Sequence, residues 1–128
     1  MVGVHNSSGR FRTLNAGATW ATIGSAIPAA CYMRFDPDNS NVMMAAIGSS
    51  AYLSEDRGAV WDSNAIGLTG TARDVDMPLH GRYFVAMSAG QIGYSADWQT
   101  FTDGSGDLAS IFPAGTKNFW CVRADPRS

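Results

Sequence analysis

The strongest constraint on what this chain can fold into is one short pattern that returns at a fixed interval. Between two runs of strand character, Ser54-Glu55-Asp56-Arg57-Gly58-Ala59-Val60-Trp61 reads Ser-x-Asp-x-Gly-x-x-Trp. These residue types suit the turn of a β-hairpin. The Asp carboxylate can accept hydrogen bonds from N–H groups of its own loop, and Gly58 supplies a left-handed backbone conformation. Ser54 can close onto the loop backbone, while the Trp61 indole packs beneath the hairpin. Upstream, Thr13, Asn15, Gly17 and Trp20 repeat the spacing with Thr for Ser and Asn for Asp. Downstream, Ser95, Asp97 and Phe101 form a copy that is one residue shorter, lacks the Gly and has Phe in place of Trp. Asn15, Asp56 and Asp97 are equally spaced, about 41 residues apart. Such a period means structural units that each stack on the next.

The segments between the turns read as strands. Ala30–Phe35 is a short β-type run stopped by Asp36-Pro37-Asp38-Asn39-Ser40-Asn41, and Val42–Ile47 is apolar throughout, as befits a strand covered on both faces. Ala51–Ser54 leads into the Asp56 turn, and a strand beginning near Val60 completes four. The next unit offers Thr71–Asp76 as first strand, Met77–Gly81 as turn and Arg82–Met87 as second strand. Near the C-terminus, Phe119–Ala124 reads as the first strand of a further unit, followed by Asp125-Pro126 as Asp36-Pro37 follows Phe35. Near the N-terminus, Val2-Gly3-Val4-His5 aligns with Met43-Met44-Ala45-Ala46. The predicted fold is all-β.

The repeated turn resembles the Asp-box, or BNR repeat, of β-propellers such as sialidases and sortilin-type receptors. The resemblance covers essentially the whole chain, residues 1–128, as one unit of about three four-stranded blades. It implies that the Asp-boxes are structural, set at the rim of the face opposite the ligand face. Propellers close with about four to eight blades, so three blades' worth implies closure with another copy. A head-to-tail dimer forming a six-bladed ring is the expected assembly, the 119–124 strand completing the blade that starts at Val2 in the other copy. A piece of a larger Asp-box propeller, such as a sialidase-like glycosidase or a receptor domain, is the alternative.

Composition narrows the function. Nine Lys+Arg in a chain of net charge −2 provide no basic field for a phosphate backbone, so nucleic acid is not an expected partner. No apolar run approaches the length of a membrane-spanning helix. Cys31 and Cys121 read as free buried thiols, and His5 and His80 as isolated histidines without a second ligand type nearby. No metal and no cofactor are expected.

Spacing singles out one loop. The interval from Phe101 to Asp125 is longer by eight or nine residues, roughly, than those from Trp20 to Asp36 and Trp61 to Asp76. This extra length falls in Thr102–Lys117, where Asp103, Ser105, Asp107, Phe112 and Lys117, with Trp120 beyond, are the candidate ligand contacts for a glycan or protein partner. Asp103, Ser105 and Asp107 open like a calcium loop, but Leu108 and Ala114 occupy the positions of its glycine and its bidentate acid. Sialidase chemistry, which the resemblance would allow, needs a tyrosine–glutamate pair, and Glu55, the one glutamate, belongs to the Asp56 turn. The expected protein is a non-catalytic binding or structural module.

Overall fold

The computed structural model describes residues 2–5, 9–22, 31–106 and 121–125, with the backbone path alone for 2–5 and 9–10. Every regular element among them is a strand, and no helix among the described residues is long and apolar enough to cross a membrane. Three antiparallel sheets follow one another along the chain. The first holds β1 (Val2–His5), β2 (Gly9–Arg12) and β3 (Ala21–Thr22). The second runs β4 (Tyr32–Phe35), β5 (Met43–Ile47), β6 (Ser50–Ser54) and β7 (Asp62–Ala65) in spatial order. The third repeats that order with β8 (Ala72–Leu79), β9 (Arg82–Met87), β10 (Ile92–Ser95) and β11 (Thr102–Asp103). Each strand pairs with its sequence neighbour, so every sheet is a meander built from local hairpins.

The second and third sheets pack on one another through side chains that alternate along each strand. Met44, Leu53 and Ile66 of the second sheet meet Val75, Val85, Met87 and Phe101 of the third in a buried cluster. Met43 and Ala45 point to the other face and bury with Trp61, against which Met33 and Tyr52 pack. The strand β5 is therefore core on both sides, which explains a run of Met-Met-Ala-Ala with no polar position. Each large apolar side chain so buried contributes about 1.5–3 kcal/mol.

Three expectations are corrected. Met77-Pro78-Leu79 is not a turn but the end of β8, and only His80 and Gly81 reverse the chain. Pro78 has no N–H to give a ladder, and the pairing of β8 with β9 is irregular there, between Asp76 and Leu79. The alignment of β1 with β5 shifts by one residue. Val2 pairs with Arg12 as Met44 pairs with Leu53, and Arg12 and Leu53 both directly precede their turn. The cause is loop length: residues 6–8 separate β1 from β2, whereas only Gly48 and Ser49 separate β5 from β6. Finally, of the strand expected at 119–124, residues 121–124 carry no ladder of their own and lie along β8, while 119 and 120 are outside the described residues.

Candidate functional site

The repeated turn takes its shape from side-chain oxygens that replace missing backbone partners. Ser54 Oγ donates to Asp56 Oδ1 at 2.9 Å and accepts the Gly58 N–H at 2.8 Å. Asp56 Oδ1 in turn accepts from the N–H groups of Ala59 and Val60, each at 2.9 Å. Arg57 and Gly58 both adopt left-handed conformations, with φ of 61° and 83°, to aim those N–H groups inward. The indole of Trp61 is 6% exposed and donates to the Gly58 carbonyl at 3.0 Å.

The first copy keeps this plan. Thr13 Oγ1 accepts from Gly17 N at 2.8 Å, Asn15 Oδ1 accepts from Thr19 N at 2.9 Å, and Ala16 and Gly17 are left-handed. In the third copy Ser95 Oγ donates to Asp97 Oδ1, which accepts the N–H groups of Gln99 and Thr100. Having one residue fewer, it bends through a single left-handed residue, Trp98, with φ of 58°, and so dispenses with the glycine. Phe101 is 9% exposed in the core between the second and third sheets, at the place Trp61 holds one sheet earlier. Trp20 departs from the expected packing: it is 47% exposed, because its side of the first sheet faces no other described sheet.

The second and third of these turns are also fastened to the sheet before them. Arg12 of β2 donates to the carbonyls of Asp56 and Arg57, and Asn64 of β7 donates to the carbonyl of Gln99. The neighbouring loop, Asp36–Asn41, is a second acid-centred turn. Asp36 Oδ1 accepts from Asp38 N at 2.8 Å and Asn39 N at 3.0 Å, and its Oδ2 contacts His80 Nδ1. His80 is thus not isolated, since the β8–β9 turn carries it to the buried Asp36 carboxyl of the second sheet.

The carboxyls of these turns are held below the ordinary aspartate range. For Asp56 the Val60 N–H is the main cause, outweighing burial, with the Ser54 hydroxyl and Ala59 N–H adding to it. For Asp97 it is the Thr100 N–H, then the Ser95 hydroxyl. Burial works against the Asp36 carboxylate, but His80 and the two loop N–H groups together keep it low. A carboxyl whose folded pKa lies below its unfolded value stabilises the fold above that unfolded value, near 4, and the stability is lost as pH falls through the folded pKa. The melting midpoint is therefore expected to fall as pH drops from about 4 towards 2. In Asp56→Asn, which copies the neutral acceptor of the first turn, that fall is shallower; an unchanged slope between pH 5 and 2, roughly, would contradict the role given to this carboxylate.

A network the sequence reading missed lies at the inner edge of the stack. Asp74, almost fully buried on β8, accepts from Arg34 Nη2 at 3.1 Å, from Arg123 Nη1 and from Val122 N at 3.3 Å. Asp76, two residues on and on the same face, accepts from Ala124 N at 2.8 Å. The hydrogen bond that Arg123 gives to Asp74 is the leading cause of the raised Arg123 pKa. The signal was present in Asp74-Val75-Asp76, since two acids on one face of an otherwise apolar strand need cationic or N–H partners.

Of the candidate ligand loop, Asp107, Phe112, Lys117 and Trp120 lie outside the described residues. Asp103 and Ser105 are engaged with one another. The Asp103 carboxylate accepts from the Ser105 hydroxyl and N–H and from Gln91 Nε2, and the first of these does most to lower its pKa. Among the described residues no three His, Cys, Asp or Glu side chains gather as a metal site. Neither cysteine is the fully buried thiol expected: Cys31 is half-buried just before β4 and Cys121 is exposed. Tyr83 is buried, and burial pushes its phenol pKa up, as do the nearby Asp36, Glu55 and Asp97 carboxylates. A groove with room for about one water molecule runs beside Ala124, between Phe84 and Leu79. No model of a known protein family matches the chain, and no curated protein sequence matches it.

Proposed function

We propose that this chain is a non-catalytic binding or structural module of the β-propeller type, each sheet one blade, which completes its ring by self-assembly. The observation that carries the reading is the repeated operation between sheets. Trp61 is buried on the Met43–Ala45 side of the second sheet and Phe101 on the corresponding Val85 side of the third, and the turn that each one ends is held by a side chain of the preceding sheet, Arg12 and Asn64 respectively. The strands nearest the axis are then β4 and β8, which lie against one another and share the Arg34–Asp74 ion pair. A non-catalytic role is supported by how the acids are used. Asp36, Asp56, Asp97 and Asp103 each accept N–H groups of their own loops, and Glu55 sits exposed in the Asp56 turn. The ligand face is the one opposite these turns, toward which β11 leads the chain away from its Asp97 turn.

Light scattering of the purified chain tests the assembly. Twice the chain mass of 13.6 kDa is expected. A heterogeneous, aggregated sample would favour a piece of a larger propeller instead. Screening on a glycan array beside a variant shortened within 107–116 tests the ligand face. Binding that survives the shortening unaltered would put the site elsewhere, in the central channel.

A further inference from the structure

Resting on the self-assembly reading, we infer that a second copy seats on the third sheet in a defined register. The partner's β1 pairs with segment 121–125, placing Val4 of the partner subunit opposite Cys121, and Trp20 of the partner subunit lies over Phe84, Ile92 and Tyr94.

The two faces concerned repeat faces that are buried inside the chain. On the second sheet, Met44, Ala51 and Leu53 form the side that receives Phe101 of the third. The corresponding positions on the third sheet, by their strand pairing, are Phe84, Ile92 and Tyr94. This side carries the same apolar character, yet Tyr94 is 47% exposed. Trp20, also 47% exposed, is the counterpart of Phe101, which is buried against the sheet before it, and of Trp61, which is buried on its own sheet beside Met43 and Ala45. Among the described residues the third sheet therefore carries an uncovered socket and the first sheet an uncovered plug. Their positions are those of the internal joint that the chain makes between its second and third sheets, so the fitting partner is another copy.

The strand edges agree. Among the described residues β1 pairs only with β2, whereas β5 and β9 have β4 and β8 on the corresponding edge. Segment 121–125 lies on the third sheet as β4 does from the other side. Arg123 donates to Asp74 and to the carbonyl of the preceding Val122, just as Arg34 donates to Asp74 and to the carbonyl of Met33. In β4 the Asp36 N–H bonds to the Val42 carbonyl, so by alternation Arg34 and Tyr32 turn their backbone groups to β5, while Met33 and Phe35 turn theirs away. With Arg123 in the place of Arg34, Val122 and Ala124 must turn away from the missing strand. Their N–H groups do so, and Asp74 and Asp76 accept them. The edge of Cys121 and Arg123 is left for a partner strand. Arg34 pairs with Met44 and Tyr32 with Ala46; Val2 and Val4 hold the levels of Met44 and Ala46 in the first sheet. Arg123 thus faces Val2, and Cys121 faces Val4.

The native Cys121 makes the register testable with one substitution. Opposed residues of a bonded antiparallel pair have Cα atoms about 5.5 Å apart, inside the range a disulfide spans. Val4→Cys is expected to give a reducible covalent dimer on mild oxidation, and His5→Cys, one register position away, is expected to give little. A non-covalent dimer that V4C does not cross-link would overturn the register and leave self-assembly standing. A bridge formed within one chain, or a wild-type protein of single-chain mass, would overturn both. Trp20→Ala provides a second readout should V4C fold poorly. Its dimer is expected to dissociate at a concentration at least tenfold higher, roughly, than wild type, and undiminished association would refute the proposed face.

Discussion

Replacing Trp61 by Ala is expected to destabilise the chain by about 3–5 kcal/mol, while the same replacement of Trp20 costs under about 1 kcal/mol in a dissociated chain. The two tryptophans end the same sequence pattern, so the pattern alone assigns them one effect. Their surroundings differ. Trp61 fills the core around Met43 and Ala45 and ties its indole N–H to the Gly58 carbonyl, so its removal leaves both a cavity and a turn without its brace. Trp20 is half in solvent. Denaturant unfolding of the two variants, at a concentration where wild type is dissociated, measures the difference. Equal losses would mean that Trp20 is covered within its own chain.

Deleting residues 119–128 is expected to abolish association altogether and to leave an insoluble or molten chain. The deletion takes the Val122 and Ala124 N–H groups and the Arg123 guanidinium from Asp74 and Asp76, leaving Arg34 to serve both carboxyls against an apolar strand. It also uncovers the inner edge of the third sheet beside Phe84, and exposed edges of this kind pair indiscriminately. Size-exclusion chromatography with circular dichroism distinguishes the outcomes. A truncated chain that stays soluble, folded and monomeric would remove both the six-bladed ring and the role given to this segment.

What could be read from the residues followed from how local the chemistry is. The Asp56 turn draws its donors from Gly58, Ala59 and Val60, all within four positions, so the residue types there speak directly for the geometry. The all-β class and the doubly buried β5 were likewise legible, since a strand of Met-Met-Ala-Ala admits no solvent face. The Asp36–His80 contact and the Asp74 network join residues that are remote in sequence, and nothing in their immediate neighbours names the partner. The β1 alignment failed for a different reason. A turn lengthened by one residue moves a whole strand by one, and a two-residue periodicity has no memory of loop length. Met77-Pro78-Leu79 misled because proline usually stops a strand, whereas here it occupies an irregular site in the ladder.

The placing of Met43 and Met44 on opposite faces of one strand has a consequence for how the chain comes apart. Two cores share β5 as a common wall, so neither can loosen without taking support from the other. Arg12 and Asn64 reinforce this, each holding closed a turn that belongs to the next sheet along. In a linear array whose energetics are nearest-neighbour, such shared walls make the interfaces cooperative. The amides of β5 should therefore exchange with solvent only through global unfolding, whereas those of β3 and β11, the outermost and shortest strands, exchange through local fraying.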